Sequence, residues 1–551
     1  MRAFFLSCLL LVSGLYLFGQ SASPAQTKAA ASLIGLEFDS LERAYMQANL
    51  SRQRGAYESL REQRLENSIM PAVMFNPVLP GTRMPALAKE KPIDWNLPKK
   101  VKRPKQDGDL AFLSVPELAS LIKRKKITSV ELTQVYLNRI KRFADSLHCV
   151  VTLTEEVALA QARKADAALA AGTYLGPLHG IPYGVKDLLA VPGYPTTWGA
   201  APFKDQTFSE QATVVSRLEE AGAVLLGKLS MGALAMGDVW FKDRTRNPWN
   251  LDQGSSGSSA GSASATAAGL VGFSIGTETW GSIVSPSTRC GVTGLRPSYG
   301  RVSRTGAMAL SWSMDKIGPI CRSAAGAAMV FDAIRGPDGK DMSLYPVAFN
   351  YAPDQPLTQL KVGYVEALFT GPRARRTSRL NDSLSLAAIR AMGVELVPIK
   401  LPEELPVQAL SIILTAEAGA AFDELTRSNR DSLLVRQDMG AWPNTFRSSR
   451  LIPAVEYINA NRLRTLLMMQ MQAVMQEVDV LVTPSYGGNQ LLMTNLTGHP
   501  AVVVPNGFTE RGTPTSITFL GNLFDEASIL RFAEAFQAAT PHEEKHPDWL
   551  R

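Results

Sequence analysis

Apolar residues recur at helical spacing in the first part of this 551-residue chain. In residues 30–70 the apolar side chains lie three or four positions apart, which places them on one face of a helix. We therefore predict an N-terminal helical extension made of two segments. The apolar positions are Leu41, Tyr45 and Ala48 in the first segment, and Tyr57 and Leu60 in the second.

Further along the chain, short apolar runs alternate with longer amphipathic stretches. The continuous apolar runs predict buried strands, and the amphipathic stretches predict helices between them. Ser114 with Glu117, and Thr128 with Glu131, each have the pattern of a capping box that opens a helix. The whole pattern predicts an α/β fold, with a mixed β-sheet covered by helices on both faces. The strand candidates are 223–226, 361–365, 480–482 and 501–504, and the helix candidates include 383–392 and 527–538.

Two N-terminal stretches have a composition unlike that of the sheet region. Met1 and Arg2 precede an apolar run over residues 4–19, and small residues follow it, which is typical of a secretory signal peptide. Residues 71–108 are rich in proline and polar residues, which indicates an extended strap over the surface. We expect a periplasmic or secreted protein. Cleavage of the signal segment and its retention as an anchor both stay open.

Residues 254–282 fit neither the apolar spacing of a helix nor the continuous apolar run of a buried strand. They begin Gly254-Ser-Ser-Gly-Ser-Ser-Ala-Gly-Ser262, which has too many glycines and serines for a stable helix interior. Residues 263–270 then predict a short helix, 273–275 a strand, and 279–282 a second tight turn. A flexible linker is the alternative, but linkers are rarely followed by a second glycine–serine turn one helix later. The stretch therefore indicates closely spaced hydroxyls and backbone N–H groups that face a ligand.

Together with other motifs, this stretch resembles the amidase signature family. The resemblance covers residues 109–540 and implies a catalytic domain there. A signal peptide at 1–25 and the helical extension and strap at 26–108 come before it, and a frayed polar tail at 541–551 follows it. The similar motifs are 176–187 (GPLHGIPYGVKD), 245–249 (TRNPW), 276–306 (GTETWGSIVSPSTRCGVTGLRPSYGRVSRTG), 313–323 (SMDKIGPICRS), 479–484 (DVLVTP), 495–501 (NLTGHPA) and 524–526 (FDE).

The resemblance implies amide hydrolysis through a Lys–Ser–Ser relay, with no cofactor and no metal. Ser282 lies 24 residues after Ser258, which is the family's spacing between the middle serine and the nucleophile. By this resemblance Lys186 is the base, Ser258 is the proton shuttle and takes part in a cis peptide bond, and Ser282 is the nucleophile. Ser259 and Ser262 are supporting hydroxyls or ordinary turn and cap serines. The oxyanion hole comprises the backbone N–H groups of Thr279, Trp280, Gly281 and Ser282.

The residues themselves favour lysine over histidine as the base. The chain has five histidines, and the two within motifs, His179 and His499, occupy positions that the family does not use as a base. Lys186 follows a mostly apolar run, where burial favours the neutral amine that can accept a proton. Asp187 is disfavoured as its direct partner, because adjacent strand residues point to opposite faces. A Ser–His–Asp triad is therefore the weaker alternative.

Three positions depart from the usual family pattern. Many members have Gly where this chain has Trp280, Asp where it has Glu278, and Gly where it has Ser256. A backbone donor tolerates any side chain that can adopt the turn, so the oxyanion hole need not be lost. The indole of Trp280 is then free to wall the acyl pocket. None of the three changes touches the relay residues.

Composition and charge fit an ordinary globular protein, with 45% hydrophobic and 19% charged residues. The net charge of +7 is spread over the chain, apart from basic runs at 99–105 and 123–126. Solvated charge is the favoured interpretation of these runs, and contact with an anionic envelope or nucleic acid is the alternative. Cys149, Cys290 and Cys321 are expected to be buried thiols or to form at most one bridge. Cys290 is a poor nucleophile candidate, because no histidine is near it in sequence.

Three functions compete. The leading one is an exported amidohydrolase that acts on a small-molecule or peptide amide, with no nucleic-acid partner, no stable membrane span and a homodimer left open. The second is the A subunit of a tRNA-dependent amidotransferase, which residues 296–304 resemble. That role needs cytosol, a cation for the glutamine carboxylate and a partner subunit, whereas this chain has Glu424 where such subunits carry Arg. The third is a non-catalytic envelope-binding protein. The sequence leaves the identity of the amide open.

Overall fold

The computed structural model describes residues 23–63, 65–82, 90–370 and 377–550. It divides into two compact units. Met1–Ile69 with Leu451–Pro453 form the smaller unit, and Met70–Arg450 with Ala454–Arg551 form the larger one. Most of the predicted signal peptide, including Cys8, lies outside the described residues. No helix in the described ranges has the length and apolar character needed to cross a bilayer.

The smaller unit contains two helices, α1 (Pro24–Leu33) and α2 (Ser40–Glu62). Each is opened by a capping box, and Gln47 on α2 donates to Thr27 on α1 at 3.1 Å. The prediction of two segments divided between Ala48 and Tyr57 is wrong, because α2 is continuous through both. Gly55 lies within α2, and one glycine costs a helix only about 1 kcal/mol relative to alanine.

The larger unit is built on a mixed sheet. Its strands have the order β1-β3-β2-β6-β8-β7-β12-β13-β11-β9-β10, and β4 pairs with β5 separately. The pairs β2–β3, β2–β6, β9–β10 and β9–β11 are parallel, and the other pairs are antiparallel. The strands are β1 (Val150–Leu153), β2 (Pro182–Lys186), β3 (Val224–Leu229), β4 (Arg246–Asn247), β5 (Asn250–Gly254), β6 (Phe273–Glu278), β7 (Thr293–Arg296), β8 (Lys316–Cys321), β9 (Val362–Tyr364), β10 (Leu396–Pro398), β11 (Val480–Pro484), β12 (Ala501–Phe508) and β13 (Pro514–Gly521).

Helices cover both faces of this sheet, as the sequence pattern predicts. Their apolar sides join the strands in one large core. The helices are α3 (Asp107–Leu110), α4 (Val115–Lys123), α5 (Ser129–Leu147), α6 (Glu155–Ala170), α7 (Thr213–Glu220), α8 (Ala260–Ala267), α9 (Val284–Cys290), α10 (Ala324–Ile334), α11 (Glu366–Thr370), α12 (Arg379–Ala391), α13 (Ile412–Ala421), α14 (Asp423–Arg427), α15 (Trp442–Ser449), α16 (Ala454–Gln476), α17 (Gln490–Thr497) and α18 (Glu526–Ala539).

The local predictions fare differently at the two ends of the domain. The capping boxes predicted at Ser114 and Thr128 are confirmed at the starts of α4 and α5. The expectation of a frayed C-terminal tail is wrong for its described part. Trp549 donates to the Pro248 carbonyl at 2.8 Å, Leu550 is fully buried, and the His546 ring stacks on Phe112. Apolar side chains near the end of the chain therefore dock the tail on the domain.

Three ion pairs among the described residues have both side chains fully out of solvent. Their N–O distances are 2.9 to 3.1 Å. A buried charge costs several kcal/mol unless a partner and further hydrogen bonds compensate it. Glu526, for example, accepts from the Ser298 backbone as well as from its arginine. The pairs are Asp187–Lys228, Glu278–Arg296 and Arg301–Glu526.

Candidate active site

The site residues meet because β2 and β6 are parallel neighbours in the sheet. Parallel strands present their carboxyl ends at one edge, where ligands of open α/β sheets bind. Lys186 is the last residue of β2, and Thr277 and Glu278 end β6. The serine-rich loop that precedes α8 and the turn that follows β6 are held at the same edge.

Lys186 is fully buried and is surrounded by hydroxyl groups. Its Nζ donates to Ser258 Oγ at 2.8 Å, Thr277 Oγ1 at 2.9 Å and Ser259 Oγ at 3.1 Å. Its neighbour Asp187 forms its ion pair with Lys228 instead, at 2.9 Å. A buried amine with neutral partners has no nearby anion to compensate its charge, so its neutral form is favoured.

This environment changes the protonation of Lys186. Burial lowers the pKa of its ammonium to about 7, and the more distant carboxylates Asp315 and Glu278 oppose that shift only in part. At neutral pH a substantial fraction of the side chain is therefore the free amine. A free amine can accept a proton, whereas a lysine with its ordinary pKa cannot.

The serine-rich loop packs tightly beneath the turn after β6. The Gly257–Ser258 peptide bond is cis. A Cβ on Gly257 would come within 1.8 Å of the Gly237 carbonyl oxygen, so this position requires glycine. The Ser259 N–H donates to the Ser282 carbonyl at 3.2 Å, which ties the loop to the turn. Ser258 is buried, and Ser282 keeps 8% of its surface exposed.

Ser259 and Ser262, the two candidate supporting serines, both hydrogen-bond to β6. Ser259 Oγ donates to the Thr277 carbonyl at 3.0 Å and accepts from its N–H at 3.1 Å. Ser262 Oγ donates to the Ile275 carbonyl at 3.0 Å. Both serines therefore fasten the loop and the start of α8 to the strand, and Ser259 also contacts Lys186.

The turn from Thr279 to Ser282 presents unused backbone donors. In the described part of the chain, none of its four N–H groups donates to a protein acceptor. Gly281 has a φ of +85°, which favours glycine, whereas Trp280 has no such restriction. The turn thus accommodates the indole, which is 38% exposed. Such donors, preorganised beside a serine, suit an oxyanion.

Ser256 also departs from the usual family pattern, and its backbone explains why glycine is common there. Its φ is +61°, in the left-handed region. Its N–H donates to Asp238 Oδ2 at 3.0 Å, which helps to hold the residue in that conformation.

Glu278 holds the turn in place through hydrogen bonds to the backbone that follows it. Its Oε2 accepts from the backbone N–H groups of Ile283 and Val284, at 2.8 and 2.9 Å, directly after Ser282. Its Oε1 accepts from Arg296 at 2.9 Å and from Asn495 at 2.8 Å. Burial raises the carboxyl pKa, but Arg296 and the hydrogen bonds outweigh burial and hold it at about 2. The carboxylate therefore stays charged and fully partnered.

We expect Glu278→Gln to lower the free energy of unfolding by about 3 kcal/mol, because it leaves Arg296 buried without a counter-charge. The carboxylate's contribution is fully present above its unfolded pKa near 4.5 and is lost as pH falls through its folded pKa of about 2. Urea unfolding at neutral pH measures the difference. Glu278→Asp, which keeps the charge, is the matched control and should lose less. Equal stability of Glu278→Gln and wild type would contradict a structural role for this charge.

Several residues at the site have no distinct signal in the sequence. Thr277 lies within a recognised motif, but nothing in its spacing marks it as a partner of Lys186. Asp315 accepts from Thr279 Oγ1 at 2.5 Å, and burial raises its pKa. Arg296 and Asn495 reach Glu278 from β7 and α17. Only the fold brings these residues together.

The residues considered as alternatives have other contacts. His179 hydrogen-bonds to the Ala165 carbonyl at 2.9 Å. His499 contacts Thr497, and burial lowers its pKa to about 3. The described cysteines, Cys149, Cys290 and Cys321, are free and buried. Burial raises the pKa of the Cys290 thiol, which disfavours the reactive thiolate. Within the described ranges, no group of three or more His, Cys, Asp or Glu could hold a metal ion.

The comparisons with known proteins agree with this fold. The family model described as Amidase matches residues 131–530. The A subunit of the glutamyl-tRNA(Gln) amidotransferase of Moorella thermoacetica is 33% identical over 484 residues, which cover 80% of this chain and 99% of that protein. A putative amidase, AmiD, of Mycobacterium bovis is 36% identical over 472 residues, covering 81% and 98%.

Solved structures show the same similarity. The native peptide amidase of Stenotrophomonas maltophilia has a TM-score of 0.69 and 28% identity, covering 78% of this chain and 97% of that one. An amidase family protein of Bacillus anthracis has a TM-score of 0.70 and 26% identity, covering 81% and 95%. The fold and the relatives define an amidase enzyme. The chain belongs to the amidase signature family.

Proposed function

We propose that this protein is an exported amidohydrolase that cleaves carboxylic amides to an acid and ammonia or an amine. The observation that carries the proposal is the 2.8 Å hydrogen bond from buried Lys186 to Ser258, at a lysine whose pKa burial lowers to about 7. A structural lysine is normally paired with an acid, as Lys228 is with Asp187. An amine kept partly neutral beside a serine suits proton transfer.

In the proposed reaction Ser282 is the nucleophile. Its Oγ attacks the amide carbon while its proton passes to Ser258 Oγ, and the proton of Ser258 passes to Lys186 Nζ. The proton then returns through Ser258 to the leaving nitrogen, the C–N bond breaks, and an acyl-enzyme ester remains on Ser282. Water attacks this ester with the same proton relay, which releases the acid and restores the serine.

The turn after β6 stabilises the negative charge of the tetrahedral intermediate in this proposal. The N–H groups of Thr279, Trp280, Gly281 and Ser282 have no protein acceptor among the described residues, so an oxyanion does not compete with an existing bond. Ser259 and Ser262 hold the loop, and the exposed indole of Trp280 walls the acyl pocket.

The A subunit of a tRNA-dependent amidotransferase is the second candidate. It is supported by the relatives of that name, which match nearly their whole length. Against it, Glu424, at the position where such subunits carry Arg, is an exposed acid 3.7 Å from Arg430. A glutaminase site needs a cation for the glutamine carboxylate. A non-catalytic envelope-binding protein is the third candidate, and it gives no reason for a buried lysine beside two serines.

A panel of amides separates these functions. Purified full-length protein is incubated with aliphatic amides, aryl amides, peptide amides and glutamine, and the release of ammonia or amine is measured. The proposal predicts turnover of at least one amide by the single chain, with glutamine among the poorest substrates. Glutamine as the preferred substrate, with turnover only when a partner subunit is added, would support the second candidate. No turnover of any amide would support the third.

The compartment is tested by fractionation of a bacterial host. We expect the mature protein outside the cytosol, with its N-terminus near residues 22–26, because residues 4–19 have the apolar character of a signal peptide. N-terminal sequencing of each fraction gives the result. Protein that stays in the cytosol and starts at Met1 would contradict export and favour the amidotransferase role.

A further inference from the structure

The fold brings the two basic runs of the sequence, 99–105 and 123–126, into contact. Ser120, on α4, donates to the Pro98 carbonyl at 2.5 Å, and Lys126 donates to the Val101 carbonyl at 2.8 Å. The strap therefore runs past the C-terminal end of α4. The joint surface, here called the basic face, has nine exposed cations: Lys99, Lys100, Lys102, Arg103, Lys105, Lys123, Arg124, Lys125 and Lys126.

The strap is anchored in a way that directs its charges outward. Ile93, Trp95, Leu97 and Val101 pack against the core as partly buried side chains. Lys99, Lys100, Lys102, Arg103 and Lys105, which lie between or just after these anchors, are all exposed, so their charges face solvent. The basic face is thus held by the fold and is not a free tail.

Few acids neutralise the basic face. Arg103 pairs with Glu131 at 3.4 Å, and it is the only one of the nine with an acidic partner among the described residues. Asp166 accepts from the first backbone N–H groups of α5 at 2.6 and 3.0 Å. Its carboxylate therefore stabilises the start of that helix and does not pair with a cation of the basic face. Asp107 and Asp109 are the nearest acids that follow the basic run 99–105 in sequence.

We propose that the basic face docks the protein on an anionic bilayer surface. Clustered lysines and arginines near such a surface each add attraction to acidic headgroups. Leu175 is 49% exposed and can enter the headgroup region. It follows Tyr174, whose ring centroid lies 5.0 Å from Lys123 Nζ. Single-stranded nucleic acid would need exposed aromatic platforms. The exposed aromatic side chains of the described residues, which all lie outside the basic face, are Tyr45, Tyr57, Trp280 and Trp549.

The test is co-sedimentation of the full chain with two kinds of vesicle, one of phosphatidylcholine alone and one of equal parts phosphatidylglycerol and phosphatidylcholine. Any binding through the apolar N-terminal residues contributes equally to both kinds of vesicle. The difference in binding between the two kinds therefore measures the contribution of the charges. We expect wild type to prefer the anionic vesicles by at least about tenfold and to lose this preference as salt is raised.

Two variants with four charges removed make the result specific. In the first, Lys99, Lys100, Lys102 and Lys105 are changed to Gln, and we expect the anionic preference to fall at least about tenfold. The matched control changes four exposed cations elsewhere, and it should keep the preference: Lys242, Lys361, Lys400 and Arg511. Circular dichroism checks that both variants are folded.

Three results would overturn the proposal. Wild type could bind both vesicle types equally, or the first variant could keep the full preference. In the third, a labelled DNA duplex binds wild type more tightly than the anionic vesicles do and displaces the protein from the vesicles. That result would identify a nucleic-acid surface. Amide turnover plays no part in this test, so its outcome is independent of the proposed activity.

Discussion

Ser282→Ala is expected to lower amide turnover by at least about 10⁴-fold, because the substitution removes the hydroxyl that attacks the amide carbon in the proposed reaction. The fold should be unaffected, since Ser282 Oγ makes no hydrogen bond to another described residue. The measurement is the initial rate of amine release on the best amide of the panel. A fluorophosphonate probe, followed by peptide mapping, should label Ser282 in wild type and nothing in the variant.

Ser285→Ala is the matched control, since it removes a hydroxyl three residues further along the same segment. We expect it to keep both labelling and most of the turnover. Labelling of another residue in wild type, or turnover that survives in Ser282→Ala, would show that the nucleophile is elsewhere.

Substitution of Lys186 should have the second largest effect and a distinct pH dependence. The base acts only as the neutral amine, so wild-type turnover should rise with pH through about 7 and fall as the pH drops below it. Lys186→Met fills similar space without a proton acceptor, and we expect a loss of about 10²- to 10⁴-fold together with loss of this acid limb. Lys186→Arg should not restore activity, because a guanidinium stays protonated.

The pH–rate profile of each variant on one amide checks this prediction. Ser258→Ala should lose less turnover than Ser282→Ala, since water can partly replace a proton shuttle. An acid limb at the same pH in Lys186→Met and in wild type would show that another group is the base. A coupled site titrates as a unit, so the limb reports the apparent pKa of the Lys186–Ser258 pair.

Much of the fold is predictable because its signals are local. The capping boxes at Ser114 and Thr128 need only four consecutive residues, and they open helices where expected. The apolar runs at 480–482 and 501–504 lie in β11 and β12. The continuity of α2 is harder to predict, because local composition around Gly55 weakens the helical pattern without ending the helix.

The candidate site is predictable only as far as its motifs reach. Ser258 and Ser282 can be named together because the family's 24-residue spacing connects them, and Lys186 can be named because it lies in a similar motif. The structure places Lys186 against Ser258. The support around them depends on tertiary contacts. Asn495 reaches Glu278 across 217 residues of chain, and no local pattern records such a contact. The meeting of the two basic runs is likewise hidden in the sequence, because each taken alone looks like a solvated surface.

The buried ion pairs bear on how this chain can change over generations. A single substitution that removes one charge from Asp187–Lys228, Glu278–Arg296 or Arg301–Glu526 leaves the other charge unpaired in the interior, at a cost of about 3–5 kcal/mol. That is a large part of a typical domain's stability. A variant that carries only one charge of a pair is therefore strongly destabilised, and selection removes it. The two charges of each pair should therefore be kept or lost together, whereas a replacement that keeps the charge, or a change at a neighbouring apolar position, can occur singly.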